Sequence, residues 1–141
     1  MSRIYWDTML FVYWIEDHPR YANRIRQLLL KMETRRDQLC TSIFAVAEAL
    51  VGPRKSGNGE IAGRMLAAFR SPFVEVIPFD LEAAEHYASI RAQQSLSPPD
   101  AIHLACAAQA GIDLFLTSDK DLIGKVIPGI QFIAGLDSNI L

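Results

Sequence analysis

Asp7, Glu48, Asp100 and Asp119 share a trait: each is a carboxylate set among apolar or small residues, in YWDTML, AVAEALV, SPPDAIHLACA and LFLTSD. A charge is rarely buried without a partner, so acids in such settings either turn to solvent or converge on something that wants negative charge. For Glu48 the flanking alanines allow both: an outward position on an amphipathic helix, or a closely packed helix that brings the acid to a cleft. Asp100, directly after two prolines, either caps its helix or joins the other acids. Two like charges about 4 Å apart repel by about 4 kcal/mol at an effective dielectric near 20, against a domain stability of roughly 5–15 kcal/mol. Four convergent carboxylates must therefore take up protons or hold a cation. Oxygen ligands without thiolate or imidazole partners favour Mg²⁺ or Mn²⁺ over Zn²⁺. Such a site orients water and stabilises a phosphodiester under in-line attack.

Only a fold can bring residues 7, 48, 100 and 119 together. RIYWD reads as a buried strand ending at Asp7, and TMLFVYWIEDHP as a short helix stopped before Pro19. From Tyr21 to about Arg36, Ile25, Leu28, Leu29 and Met32 recur at helical spacing. Arg24, Lys31 and Arg35 line one flank of that helix, as a solvated face or as a contact for substrate. QLCTS is a strand, after which Thr41 or Ser42 caps a helix over SIFAVAEALVG that Gly52-Pro53 should end. RKSGNGE then reads as a polar loop, and its glycines lack the spacing of a dinucleotide fingerprint. A helix from about Glu60 to Phe69, a strand at VEVIPF and a helix LEAAEHYASIRAQQ capped by Asp80 follow. SPPDAIHLACAAQAG is a further helix, with proline at its entry and Gly111 at its exit. DLFLTSD and IQFIA are the last strands.

Strands alternating with helices imply an α/β domain around a mainly parallel sheet. Such sheets bind ligands beyond the carboxyl ends of their strands, where Asp7 and Asp119 both fall. The helix begun near Asp100 runs antiparallel to the strand it feeds, so its N-terminus shares that edge.

The 141 residues are enough for one domain, and 50% hydrophobic with 21% charged residues is a globular balance. A net charge of −2 and a pI near 5.9 mean that any nucleic-acid contact relies on local positive charge or on a metal. No apolar run approaches the ~20 residues of a membrane span, and MSRIYWDTML lacks a secretion-signal pattern; a cytoplasmic protein without membrane contact is expected. Cys40 and Cys106, in apolar surroundings, read as buried free thiols.

These segments, in order and covering nearly the whole chain, resemble the PIN-domain ribonucleases, and among them the VapC-type toxins of toxin–antitoxin pairs. YWDTMLFVYWIEDHP resembles the first-strand acid with its hydroxyl neighbour (Asp7, Thr8) and the Tyr13, Glu16 continuation. TSIFAVAEALVGP resembles the helix of the second acid, Glu48. SPPDAIHLACAAQAG resembles the D-A-x-x-x-A-x-A segment, with Asp100 third. LFLTSDKDL resembles the T-x-D ending, with Asp119 fourth and Thr117 and Ser118 as supporting hydroxyls. Met9 and Leu122 depart from the commonest residues there without touching a proposed ligand. The resemblance implies a single PIN domain over residues 1–141 and a three-layer α/β/α sandwich with a central, mainly parallel sheet. It implies Mg²⁺- or Mn²⁺-dependent cleavage of RNA, with Asp7 and Asp100 as the main metal ligands and Glu48 and Asp119 completing the cluster. It also implies a homodimer silenced by a cognate antitoxin.

Neighbouring residues leave choices open. His103 stands one helical turn after Asp100 and serves either the site or packing, whereas His18 and His86 have no ligand-spaced partner. Asp121 reaches the rim or caps a turn. Phe11, Tyr13 and Trp14 face a core or an antitoxin helix. Two other functions compete. One is an aspartate-based phosphotransfer domain, which would want a second acid where Met9 stands. The other is a PIN-like scaffold that binds RNA or protein without cutting.

Overall fold

Side chains in a strand alternate between the two faces of a sheet, and here both faces are covered. In the computed structural model, which describes residues 1–139 and 141, the elements run β1 (Arg3–Trp6), α1 (Thr8–Ile15), α2 (Ala22–Arg35), β2 (Gln38–Ser42), α3 (Ile43–Ser56), α4 (Gly59–Arg70), β3 (Val74–Ile77), α5 (Leu81–Gln93), α6 (Pro98–Gln109), β4 (Leu114–Thr117) and β5 (Phe132–Gly135). Ile4, Trp6, Leu39, Leu114, Leu116 and Ala134 point to one face and pack with Leu10, Phe11, Ile25, Leu28, Ala49, Met65 and Phe69 of α1 to α4. Tyr5, Cys40, Phe115 and Ile133 point to the other and pack with Ala83 and Ile90 of α5 and Ala101, Leu104 and Ala105 of α6. The result is the three-layer α/β/α sandwich expected, and all four strand pairings are parallel.

The strand order is β3-β2-β1-β4-β5. β1 is thus central, and completely buried Ile4, Tyr5 and Trp6 explain why RIYW reads as an unbroken apolar run. Its register with β4 pairs Ile4 with Leu114 and Trp6 with Leu116. That pairing sets the two strand ends level, and the backbone N–H of Asp7 continues it by donating to the Leu116 carbonyl at 3.1 Å.

One expected boundary is wrong. α3 does not end at Gly52-Pro53; it continues through them to Ser56, where Gly57 takes a left-handed φ of 68°. Proline inside a helix loses one backbone hydrogen bond and costs on the order of 3 kcal/mol, but Pro53 is buried where α3 packs on α4. Packing overrides the local signal, and most of RKSGNGE is helical, as the last turn of α3 and the first of α4. The basic row on α2 also dissolves. Arg24 donates to the carbonyls of Leu136 (3.1 Å) and Ser138 (2.7 Å), Arg35 pairs with Asp37 at 2.8 Å, and Lys31 is left exposed. Cys40 and Cys106 are buried and unpaired.

Candidate active site

From β1 the chain moves outward through β2 and β3, then crosses back to place β4 on the opposite side of β1. The order reverses between β1 and β4, and the crevice beyond their carboxyl ends is where α/β sheets open toward ligands. A cavity of about 360 Å³ lies there, lined by Asp7, Thr8, Glu48, Asp100, His103, Ser118 and Asp119 among others. All four expected acids therefore border one space, although they come from the end of β1, α3, α6 and the segment after β4.

Asp7 occupies the N-cap position of α1 but makes no side-chain capping bond. Its carboxylate turns across the sheet instead: Oδ2 accepts from Thr117 Oγ1 at 2.5 Å and from the Ser118 backbone N–H at 3.2 Å. Oδ1 is buried and meets no partner among the described residues. The Thr117 hydroxyl also accepts the Asp119 backbone N–H at 3.0 Å, so one completely buried side chain ties the first acid to the fourth. Asp119 then holds its own turn, its Oδ1 accepting the Asp121 backbone N–H at 2.9 Å. Asp121 itself is exposed. Asp100 is not the cap of α6. Ser97 is, with its hydroxyl accepting the Asp100 backbone N–H, which leaves the half-buried Asp100 carboxylate on the first helical turn facing the cavity.

Glu48 does not simply turn to solvent. Its Oε1 accepts from Thr8 Oγ1 at 2.6 Å and from His103 Nε2 at 2.6 Å. His103 is buried at 6% exposure and has Phe44 against its ring edge. Its Nδ1 lies 2.7 Å from the Tyr5 hydroxyl, which donates to Ser42 Oγ at 2.8 Å. A chain of polar groups thus runs from the core beneath β1 to Glu48 and fixes one of its oxygens. His103 is the residue that sequence reasoning left undecided between site and packing. Its signal was present, since a position three after Asp100 shares a helix face with it and no other polar side chain interrupts Ala101–Ala108.

Burial pushes the Asp7 carboxyl above its ordinary range, opposed by the Thr117 hydrogen bond and by the nearby His103. For Glu48, burial also acts upward, but the hydrogen bonds from His103 and Thr8 outweigh it and hold the carboxyl below its ordinary range. The leading cause at Asp7 is lost solvation, not a neighbouring carboxylate. Consistently, no three His, Cys, Asp or Glu side chains among the described residues are close enough to hold an ion unaided. Magnesium typically keeps several waters and takes only one or two carboxylates. The unsatisfied Asp7 oxygen and the unpartnered Asp100 carboxylate fit a hydrated hard cation of that kind, not a closed cage.

A PIN-domain profile matches residues 4–126, which include every acid bordering the cavity. The chain belongs to the PIN-domain family. No curated protein sequence matches it significantly. Among solved structures, this PIN domain is similar to VapBC2 from Rickettsia felis bound to a promoter DNA fragment, with TM-score 0.76 and 20% identity over 94% of this chain and 98% of that one. It is also similar to VapC20 of Mycobacterium tuberculosis, a toxin that cleaves the sarcin-ricin loop, with TM-score 0.70 and 17% identity over 84% and 91%. A toxin–antitoxin complex from Klebsiella pneumoniae matches with TM-score 0.67 and 23% identity over 90% and 94%. At these identities the likeness is one of fold. No helix among the described residues of the PIN domain is long and apolar enough to cross a membrane.

Proposed function

We propose that this PIN domain, spanning residues 1–141, is a VapC-type toxin: a Mg²⁺- or Mn²⁺-dependent endoribonuclease that works in the cytoplasm as a homodimer and is silenced by a cognate antitoxin. One observation carries the reading. Four acids from four separate stretches of the chain border a single cavity at the reversal point of the sheet, and the central one keeps a buried oxygen with no partner among the described residues. The fold shared with VapBC proteins, one of them named for cutting an RNA loop, supports the choice of RNA.

Asp7 and Asp100 would hold the ion, directly or through water, with Glu48 and Asp119 completing the cluster. When bound, the metal supplies Lewis-acid charge neutralisation and lowers the pKa of a bound water. The protein's own part is orientation. Thr117 and the Ser118 N–H grip one oxygen of Asp7 and leave the other, buried at the cavity wall, without a partner among the described residues. Thr8 and His103 grip one oxygen of Glu48, which leaves the second available to orient a water and accept its proton.

Purified protein incubated with single-stranded RNA should cut it with Mg²⁺ or Mn²⁺ and not with EDTA. Asp7→Asn and Asp100→Asn should abolish the cutting while leaving the circular dichroism spectrum unchanged. Undiminished turnover in either variant refutes the assignment.

A further inference from the structure

A second cavity, of about 320 Å³, opens beside the first, and Ser118 lines both. Its walls are built and held. Tyr13, His18 and Tyr21 form a three-ring cluster with centroids 4.7–5.0 Å apart. His18 Nδ1 accepts the backbone N–H groups of Arg20 and Tyr21, which locks that corner. Opposite, Arg24 pins the carbonyls of Leu136 and Ser138. Among the described residues, the phenol oxygens of Tyr13 and Tyr21, the Ser118 hydroxyl and the Lys120 ammonium all border the cavity with no hydrogen bond or ion pair. The Ser138 hydroxyl is buried there and likewise has no partner. A buried polar group is normally satisfied, and the unsatisfied Ser138 hydroxyl, with four further uncommitted polar side chains around the same space, marks a place shaped for a polar guest.

We propose that this cavity receives the nucleotide next to the scissile phosphodiester, and that it reads that nucleotide in single-stranded RNA. The proposal rests on the ribonuclease reading above, because Ser118 lines both cavities: a phosphodiester at the acids brings its neighbouring nucleoside to this one. The volume is at the low end of the roughly 300–1,000 Å³ of small-molecule sites, room for one splayed-out nucleotide and not for a duplex. Lys120 meets a phosphate. The tyrosine, Ser118 and Ser138 hydroxyls meet the ribose 2′-hydroxyl and the base edge, which is how proteins tell RNA from DNA. Asp137, also on the rim, accepts from a base amino group and disfavours a phosphate at that position. Apolar Ile123 and Leu136 cover the base plane.

The test uses Tyr13→Phe/Tyr21→Phe, which keeps both rings and removes only the hydroxyls, and Lys120→Ala at an exposed position. The probe is a fluorescein-labelled 12-nucleotide single-stranded RNA of mixed sequence, followed by anisotropy in EDTA and by cleavage in Mn²⁺. The double phenylalanine variant should weaken Kd and raise KM by about tenfold, as two lost hydrogen bonds imply, with kcat within about twofold and a blunted preference at one nucleotide of the cut site. Lys120→Ala should weaken binding and flatten the log–log salt slope by about one. Wild-type cleavage together with unchanged Kd, KM and cut sites in both variants overturns the subsite and leaves the ribonuclease standing. A wild type that neither binds nor cuts RNA overturns the ribonuclease, and the subsite with it.

Discussion

Replacing Asp7 by asparagine should stabilise the metal-free protein even as it destroys activity. The carboxylate is held away from water with one oxygen unsatisfied, and burial pushes its pKa up, so the ionised form is worth less to the folded state than to the unfolded one. An unsatisfied buried acceptor costs about 1–3 kcal/mol, and more when charged. Asparagine keeps an acceptor for Thr117 and Ser118 and puts a neutral amide in place of the buried, unsatisfied charge, so a net gain of about 1 kcal/mol is expected. For a chain of this length that is a rise in Tm of about 3 °C. Mn²⁺ at 100 times its Kd should add about 2.7 kcal/mol to the wild type and little to the variant. The sign with pH follows. The penalty is present above the raised folded pKa and disappears as pH falls through it toward the unfolded value near 3.9, so the wild type should draw level with the variant in acid. Thermal melts in EDTA and in Mn²⁺, from pH 4 to 8, measure all of this. An asparagine variant that melts below the wild type in EDTA, or gains as much from Mn²⁺, refutes the reasoning.

His103→Ala should lower stability by about 2–4 kcal/mol in urea titrations, since it empties a buried site and strips partners from Tyr5 and Glu48. His103→Gln, which retains a donor, should recover more of the cleavage rate than alanine does; equal rates would reduce His103 to packing. The depressed Glu48 pKa contributes stability above the ordinary carboxylate value, and this is lost as pH falls through the lower folded one. Glu48→Gln should thus be slightly less stable near pH 7, by under about 1 kcal/mol at this partly exposed position, with the difference disappearing once pH falls below the lowered folded value. Burial pushes the Cys40 thiol up to about 12 and the Cys106 thiol up to about 11, so neither should react with Ellman's reagent at pH 8 faster than the protein unfolds. Gly129→Ala should cost stability in the same titrations, because its φ is 99° and a Cβ would stand 2.7 Å from the Ala108 carbonyl oxygen.

Much of this molecule was legible before any coordinates. The apolar runs RIYW, QLCTS and LFLT stand alone in the sequence because both sheet faces are covered, and that same burial makes the helix/strand alternation easy to read. Asp80 and Ser42 cap their helices by local chemistry, and local chemistry is what sequence displays. What failed was decided at a distance. Pro53 looks like a stop until tertiary packing buries it, and Arg24 looks like a free surface cation until the segment after β5 arrives to take both ends of its guanidinium. At the site, the four acids were expected from their apolar contexts and family pattern, and the fold brings them to one cavity. The partners that orient them were legible only in part: Thr8, Thr117 and Ser118 were expected as supporting hydroxyls, but His103 stays open between site and packing until Glu48, 55 residues earlier, is placed 2.6 Å away. Thr117 was expected as a supporting hydroxyl, but its double duty between Asp7 and Asp119 depends on strand register, which no local pattern encodes.

The bond from Thr117 to Asp7 spans 110 residues and closes over the central strand pair. Contacts that distant are slow to form and cannot precede synthesis of both ends. A ribosome partway through this chain therefore carries Asp7 and Glu48 with nothing to oppose them, and a proteolytic fragment carries no better. On the ribonuclease reading, the site is complete only once β4 docks beside β1, and any event that pries β4 loose should remove the activity.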